Sequence, residues 1–187
     1  WVIYDTGNTA FFTGVMGLVF PLWITTDLIG GNDATVGYTL AVAMAIIFLI
    51  SPILGTMSDQ SGKRMVFLTF FTLISVIATF FIGLGSIPMS LALFATAVIA
   101  IHTADIFYNT ILEDVSSTNN IGTIAGIGIG LGYIGAIIAV VIGLLFIETH
   151  GHVFVMRTIS IVMLVLMSPL LFIWRDKHGP NLLQDLS

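Results

Sequence analysis

The sequence predicts an all-α, polytopic membrane protein of six transmembrane helices, and three observations carry that reading. The chain of 187 residues is 57% hydrophobic but only 8% charged, with a mean hydropathy of +1.10. A soluble domain carries roughly 25% charged residues, so this one could not cover a water-facing surface. The few charges also stand between long neutral runs: no Asp, Glu, Lys or Arg occurs in 6–26, 34–58, 65–104, 115–147 or 158–174. Finally, a spanning helix needs about 20 mostly apolar residues, and each run holds one or two such stretches.

The elements follow from those runs. The first gives a helix over about 4–27 and the second one over 34–58. The 65–104 run is long enough for two, and Gly83-Leu-Gly-Ser-Ile-Pro88 supplies a turn in its middle, because Gly and Pro together punctuate a helix. That gives helices over 64–83 and 88–111. The last two cover 119–147 and 154–174, separated by the polar segment Glu148-Thr-His150-Gly-His152. Two histidines and a glutamate so close suggest a metal, but a fourth ligand and a helical spacing are lacking, so the segment reads as an outer loop and no metal is expected. Residues 1–174 form one bundle, and 175–187 turn polar with Gly179-Pro180 as a breaker, as a cytoplasmic linker to a second half would. Trp1, Trp23 and Trp174 fall near span ends, where interface anchors sit. The Phe-rich third helix reads as lipid-facing.

Lys63, Arg64, Arg175 and Lys177 fall on one side and only Arg157 on the other. Positive residues favour the cytoplasm, so both termini and the 59–63 loop are expected there. An even number of spans requires the same. Cysteine is absent, which excludes thiolate and disulfide chemistry. Paired catalytic carboxylates, H-E-x-x-H and G-x-S-x-G are absent too, so the chain is not expected to be an enzyme. No nucleic-acid partner is expected; the partners are the lipid bilayer and a small solute.

The connection between the second and third helices reads GTMSDQSGKRM. Gly55 lets a helix approach a neighbour closely, Asp59 is placed to accept N–H bonds at a helix start, and Gly62 can supply the positive φ of a tight turn. Lys63 and Arg64 reach lipid phosphates. The spacing Gly55-x-x-x-Asp59-Gln60-x-Gly62-Lys63-Arg64 resembles the cytoplasmic gating loop of the major facilitator superfamily, G-x-x-x-D-[RK]-x-G-[RK]-[RK], with Gln60 where a cation is usual. Two further stretches are similar to the branch that includes the autophagy-linked vacuolar amino-acid effluxers and their bacterial relatives. Tyr4, Asp5, Asn8 and Phe11 match its Y-D-x-x-N-S-x-[FY], with Thr9 in place of the Ser. Phe107, Tyr108, Asn109, Leu112 and Asp114 match F-Y-N-A-L-L-P-D, with Glu113 in place of the Pro, and Gly132, Tyr133 and Gly135 match G-W-A-L-G-Y-L-G-G. The resemblance implies half of a twelve-helix fold, the substrate held between two six-helix halves, and helices 1 and 4 lining the pathway. It also suggests amino acids as the substrate class. H⁺ and Na⁺ are the coupling-ion candidates, and four cytoplasmic cations with no glycosylation sequon are compatible with a bacterial cell membrane.

Read without the family, His102, Asp105 and Asn109 fall at i, i+3 and i+7 on one helix face, and Asp5, Asn8, Thr9 and Thr13 form a second such stripe. Both lie toward the cytoplasmic half. An ionisable group inside a span is costly and faces a bundle interior or water. Asp105, helped by His102, is therefore the candidate for binding a coupling proton or a cationic substrate group. The alternative is a buried hydrogen bond to His102 or Asn109. For Asp5 the alternative to a pathway role is an N-cap of the first helix.

Gly130-Leu-Gly132-Tyr-Ile-Gly135 has the form of a dinucleotide fingerprint, but it lies mid-helix in a charge-free run, without the strand and turn that phosphate binding needs. No cofactor is expected. Gly128, Gly132, Gly135, Ala139 and Gly143 instead make a small-residue stripe, with Gly122, Gly126 and Gly130 on an adjoining face. Such stripes let helix backbones approach in lipid. The resemblance sets this helix against the opposite half, and Gly132→Leu is expected to disrupt assembly or transport. The function expected is secondary active transport of a small solute by alternating access, the chain being the N-terminal half. The alternative is a non-transporting six-helix scaffold or homodimer.

Overall fold

The computed structural model describes residues 2–26, 29–61, 64–115 and 121–173, with the side chains of 57–61, 112–115, 121, 124 and 171–173 excepted. Every regular element among them is helical. Five helices are long and apolar enough to cross a membrane: Val2–Ile24, Asp33–Thr56, Arg64–Phe81, Ile87–Ile111 and Ala125–Leu170. The helices containing them are α1 (Val2–Ile24), α2 (Asp33–Ser61), α3 (Arg64–Phe81), α4 (Ile87–Val115) and α5 (Ile121–Ile173).

Five candidate spans are found rather than the expected six, because the segment read as an outer loop stays helical through Glu148, Thr149 and His150 and the last apolar stretch runs from Ala125 to Leu170. His150 packs its ring on Phe154, centroids 4.6 Å apart, and bonds the Thr149 hydroxyl at 2.7 Å. The fifth helix is not straight. Gly151 has φ 81° and ψ 168°, a conformation essentially confined to glycine. A Cβ placed on Gly14 of α1 would lie 2.7 Å from the Cβ of Ala139 and 2.8 Å from the Cδ1 of Ile159. Twenty residues of straight helix separate two such points by about 30 Å. The chain therefore doubles back at Gly151 into two arms, 121–150 and 152–173. Contacts along α1 agree: Gly132, Ala139 and Gly143 approach Asp5, Gly14 and Leu18 in ascending order, whereas Met167 and Ile159 approach Gly7 and Gly14 in descending order. Gly151→Ala is expected to lower stability by about 1–3 kcal/mol through backbone strain, read as a lower melting temperature in detergent.

α1 is the hub. Tyr4, Ala10, Phe11, Val15, Val19, Phe20 and Ile24 are all fully buried. Its middle, Phe11–Val19, is π-helical, and the Phe20 N–H donates to the Val15 carbonyl five residues back. Gly14 and Gly17 lie in this widened stretch. At the start of α2, Asn32 caps the helix by accepting from the Thr35 N–H at 3.0 Å. The turn between α3 and α4 uses Gly83, φ 83°, whose N–H donates to the Ser90 hydroxyl at 3.2 Å. α3 buries its hydroxyls, Thr72, Ser75 and Thr79, and turns Phe70, Phe80 and Phe81 outward. It is not wholly lipid-facing, because Phe67 and Phe71 stack on Phe107 of α4 at 5.1 and 6.1 Å.

The small-residue stripe is buried at Gly128, Gly132, Gly135, Ala139 and Gly143, while Gly122, Gly126 and Gly130 are exposed with no atom within 4 Å of an added Cβ. The buried face closes on α1 of the same chain: a Cβ on Gly135 would strike the Thr6 carbonyl, and one on Gly132 would stand 2.7 Å from Asp5 Oδ2. The resemblance had set that helix against an opposite half, and the seam itself is intramolecular. Spacing identifies a small face but not what fills it.

Candidate functional site

α1 and α4 run antiparallel in one register. Tyr4 stacks on Tyr108 with centroids 4.8 Å apart, Asn8 meets Asp105, Phe12 meets His102 at 4.9 Å, and Phe20 stacks on Phe94 at 3.7 Å. Each step of one turn up α1 is a step of about one turn down α4, as packed antiparallel helices require. The polar residues occupy the first two rungs, between the aromatic rungs above and the helix ends below.

The centre is the bond from Asn8 Nδ2 to Asp105 Oδ1, 2.8 Å long. Asn8 is buried and Asp105 partly so. One turn away, the Tyr108 hydroxyl donates to the Asp5 carboxylate, and the Tyr4 hydroxyl shares a 2.8 Å hydrogen bond with Thr72 of α3. Asp5 and Asp105 lie close enough to act on each other electrostatically. Asp5 and Thr9 also border the α5 arm, where the missing Cβ of Gly132 leaves room for Asp5 Oδ2 and Thr9 Oγ1. Three helices thus converge on two carboxylates, with α3 supporting the tyrosine pair.

Several expectations change on this geometry. Asp5 is inside the first turn of α1 rather than at its N-cap, since the helix already begins at Val2. Asp105 takes its partner from Asn8 across the helix interface, not from His102 or Asn109. His102 Nε2 is buried and makes no hydrogen bond among the described residues. Asn109 is exposed and stands off the cluster, although its spacing puts it on the same stripe. Tyr4, Tyr108 and Thr72 were not expected in the site. Tyr4 lies one turn from Asn8 and Tyr108 one turn from Asp105, which is the signal that could have found them. Thr72 carries no such signal.

Near the end of α2, the expected close approach at Gly55 is not made: no described atom lies within 4 Å of a Cβ placed there. Gly62 and Lys63, and the side chain of Asp59, lie outside the described residues. Arg64 opens α3 and donates from Nη1 to the Thr110 carbonyl at 3.3 Å, tying the start of α3 to the end of α4 beside the exposed Asn109.

The model of the Major Facilitator Superfamily matches residues 7–185. The chain belongs to the major facilitator superfamily. It is accordingly an integral, multi-pass membrane protein of a family that transports small molecules. An uncharacterized MFS-type transporter of Bacillus subtilis (strain 168), YxiO, is 32% identical over 155 residues, covering 77% of this chain and 36% of the relative. An uncharacterized protein of Aquifex aeolicus (strain VF5) is 30% identical over 145 residues, covering 75% of the chain and 36% of the relative. The match thus spans little more than a third of the length of these curated relatives. No solved structure matches the chain significantly. In this superfamily member, the polar rungs between α1 and α4 are the only place among the described residues where two carboxylates meet inside the spans.

Proposed function

We propose that the chain is the first six-helix half of a secondary active transporter, and that the Asp5, Asn8 and Asp105 cluster lies in its solute or proton pathway. The observation that carries this reading is the Asn8–Asp105 bond at 2.8 Å, which puts an ionisable group on an α1–α4 interface within the spans. Six crossings follow if each arm of α5 spans once; the reversal at Gly151 and the 46-residue apolar stretch Ala125–Leu170 support that. The 36% coverage of the relatives supports a second half beyond this one. Binding between two halves near the bilayer midplane is the general layout of such transporters. On this reading both termini are cytoplasmic, the membrane is a bacterial cell membrane, and H⁺ or Na⁺ drives the flux. The likeness of the Tyr4–Phe11 and Phe107–Asp114 segments to the vacuolar effluxer branch makes amino acids the first solutes to try.

The test is flux into proteoliposomes holding the protein expressed from its complete gene. An imposed proton or sodium gradient is expected to drive accumulation of at least one solute from a labelled panel. Flux no greater than in protein-free vesicles, for every solute and under both gradients, contradicts the proposal.

A further inference from the structure

Asp5 and Asp105 share a property that their place in a pathway does not require. Neither is joined to an arginine, lysine or histidine among the described residues, and their partners are neutral: Tyr108 for Asp5 and Asn8 for Asp105. Two carboxylates on facing helices, near enough to act on each other, form an acidic site with no built-in counter-charge. A second observation points to what fills it. Asn8 is 7% exposed, spends its Nδ2 donor on Asp105, and leaves Oδ1 without a partner. Buried amide oxygens are almost always hydrogen-bonded, so the orphan on the residue that holds Asp105 calls for a donor. With Asp105 ionised, turning the amide would set oxygen against oxygen, so Nδ2 stays on Asp105.

The acceptors therefore outnumber the donors. Carboxylate oxygens of Asp5 and Asp105 and the amide oxygen of Asn8 lie on adjacent turns. The stacked rings of Tyr4 and Tyr108 stand beside them. A primary ammonium brings one positive charge and three N–H donors, enough for one oxygen from each of Asp5, Asn8 and Asp105, and lowers the pair to a single net negative charge. A carboxylate or phosphate would meet like charge, and a neutral solute would leave both carboxylates uncompensated.

We propose that the Asp5–Asn8–Asp105 cluster is a recognition site for the ammonium group of an amine-bearing solute. This rests on the transport reading for its physiological meaning but is tested separately from it, by binding. The protein from the complete gene is purified into lipid nanodiscs and titrated with n-butylammonium, with butyrate, 1-pentanol and sodium chloride as the matched anion, neutral chain and simple cation. Its melting temperature is followed throughout. A saturable rise with butylammonium alone is expected. Asp5→Asn and Asp105→Asn are each expected to weaken it at least about tenfold, the loss of one charge-assisted contact. Leu144→Ala, on the outward face of the 121–150 arm, leaves it unchanged. An equal response to butyrate or pentanol, a saturable response to sodium without one to butylammonium, or no response to butylammonium overturns the proposal. So does an unaltered response in both asparagine variants. If a variant fails to elute as a single species, the wild-type series decides alone. Butylammonium binding with no flux of any solute would leave the site standing and overturn the transport reading; flux without ammonium binding would do the reverse.

Discussion

Asp105→Asn is expected to cut gradient-driven solute accumulation by roughly tenfold to a hundredfold, the worth of a hydrogen bond to a charged group converted to a rate or affinity. The substitution is close to isosteric. Asparagine still presents an Oδ1 to Asn8 Nδ2, so the 2.8 Å link between α1 and α4 can persist as a neutral bond. What disappears is the charge and the capacity to carry a proton. The purified variant should therefore elute and melt like the parent while flux collapses. If the pair were only an interhelical brace, flux would follow stability and change little. Uptake measured beside a melting curve on the same preparation separates the two.

Gly135→Ala is expected to destabilise the bundle by about 1–3 kcal/mol, the range for adding a methyl to a packed interface. The added Cβ has nowhere to go, because it points at the backbone carbonyl of Thr6 and stands 3.1 Å from the Ala10 nitrogen. Backbone cannot swing aside as a side chain does. Helix propensity works in the opposite direction by about 1 kcal/mol, since alanine is the better helix former. Gly130→Ala isolates that term: no atom lies within 4 Å of its Cβ, so it should leave stability unchanged or raise it slightly. The two variants differ by five positions on one arm, and comparing their melting temperatures in detergent reads the packing directly. Gly132→Leu is disruptive for a further reason, because its side chain would displace the Asp5 carboxylate and the Thr9 hydroxyl.

Which parts of this arrangement could be read from the chain follows from what each signal measures. Charge-free length marks a span, so α1 to α4 fall within a few residues of their expected limits. It does not mark how a helix ends when the terminating signal is a single glycine. Glu148, His150 and His152 are polar enough to suggest a loop, yet the helix runs to His150 and turns only on the φ of Gly151. Helical spacing put Asp5 with Asn8 and His102 with Asp105, each on its own helix. It could not give the rotation of one helix against another, so it paired Asp105 with its own neighbours and missed Asn8. Spacing likewise left the occupant of the glycine stripe open; the resemblance set it against an opposite half, and the atoms that fill it are those of Asp5, Thr6, Thr9 and Ala10 of α1. The Tyr4–Thr72 bond joins α1 to α3 and left no trace in either segment alone.

The central claim is that the Asp5–Asn8–Asp105 rungs border a solute pathway rather than a sealed brace. Thr9 stands beside Asp5 against Gly132, and the 187 residues contain no cysteine, so a cysteine introduced at Thr9 is unique among them. The most direct measurement is the rate at which Thr9→Cys, in the protein from the complete gene with any cysteine elsewhere replaced, reacts with a small membrane-impermeant thiol reagent applied from one side. Leu144→Cys on the outward face serves as the comparison. A pathway predicts reaction at position 9, at a rate that changes when a gradient or a transported solute is imposed, and none at 144. An unreactive thiol at position 9 from either side, under every gradient, would contradict it.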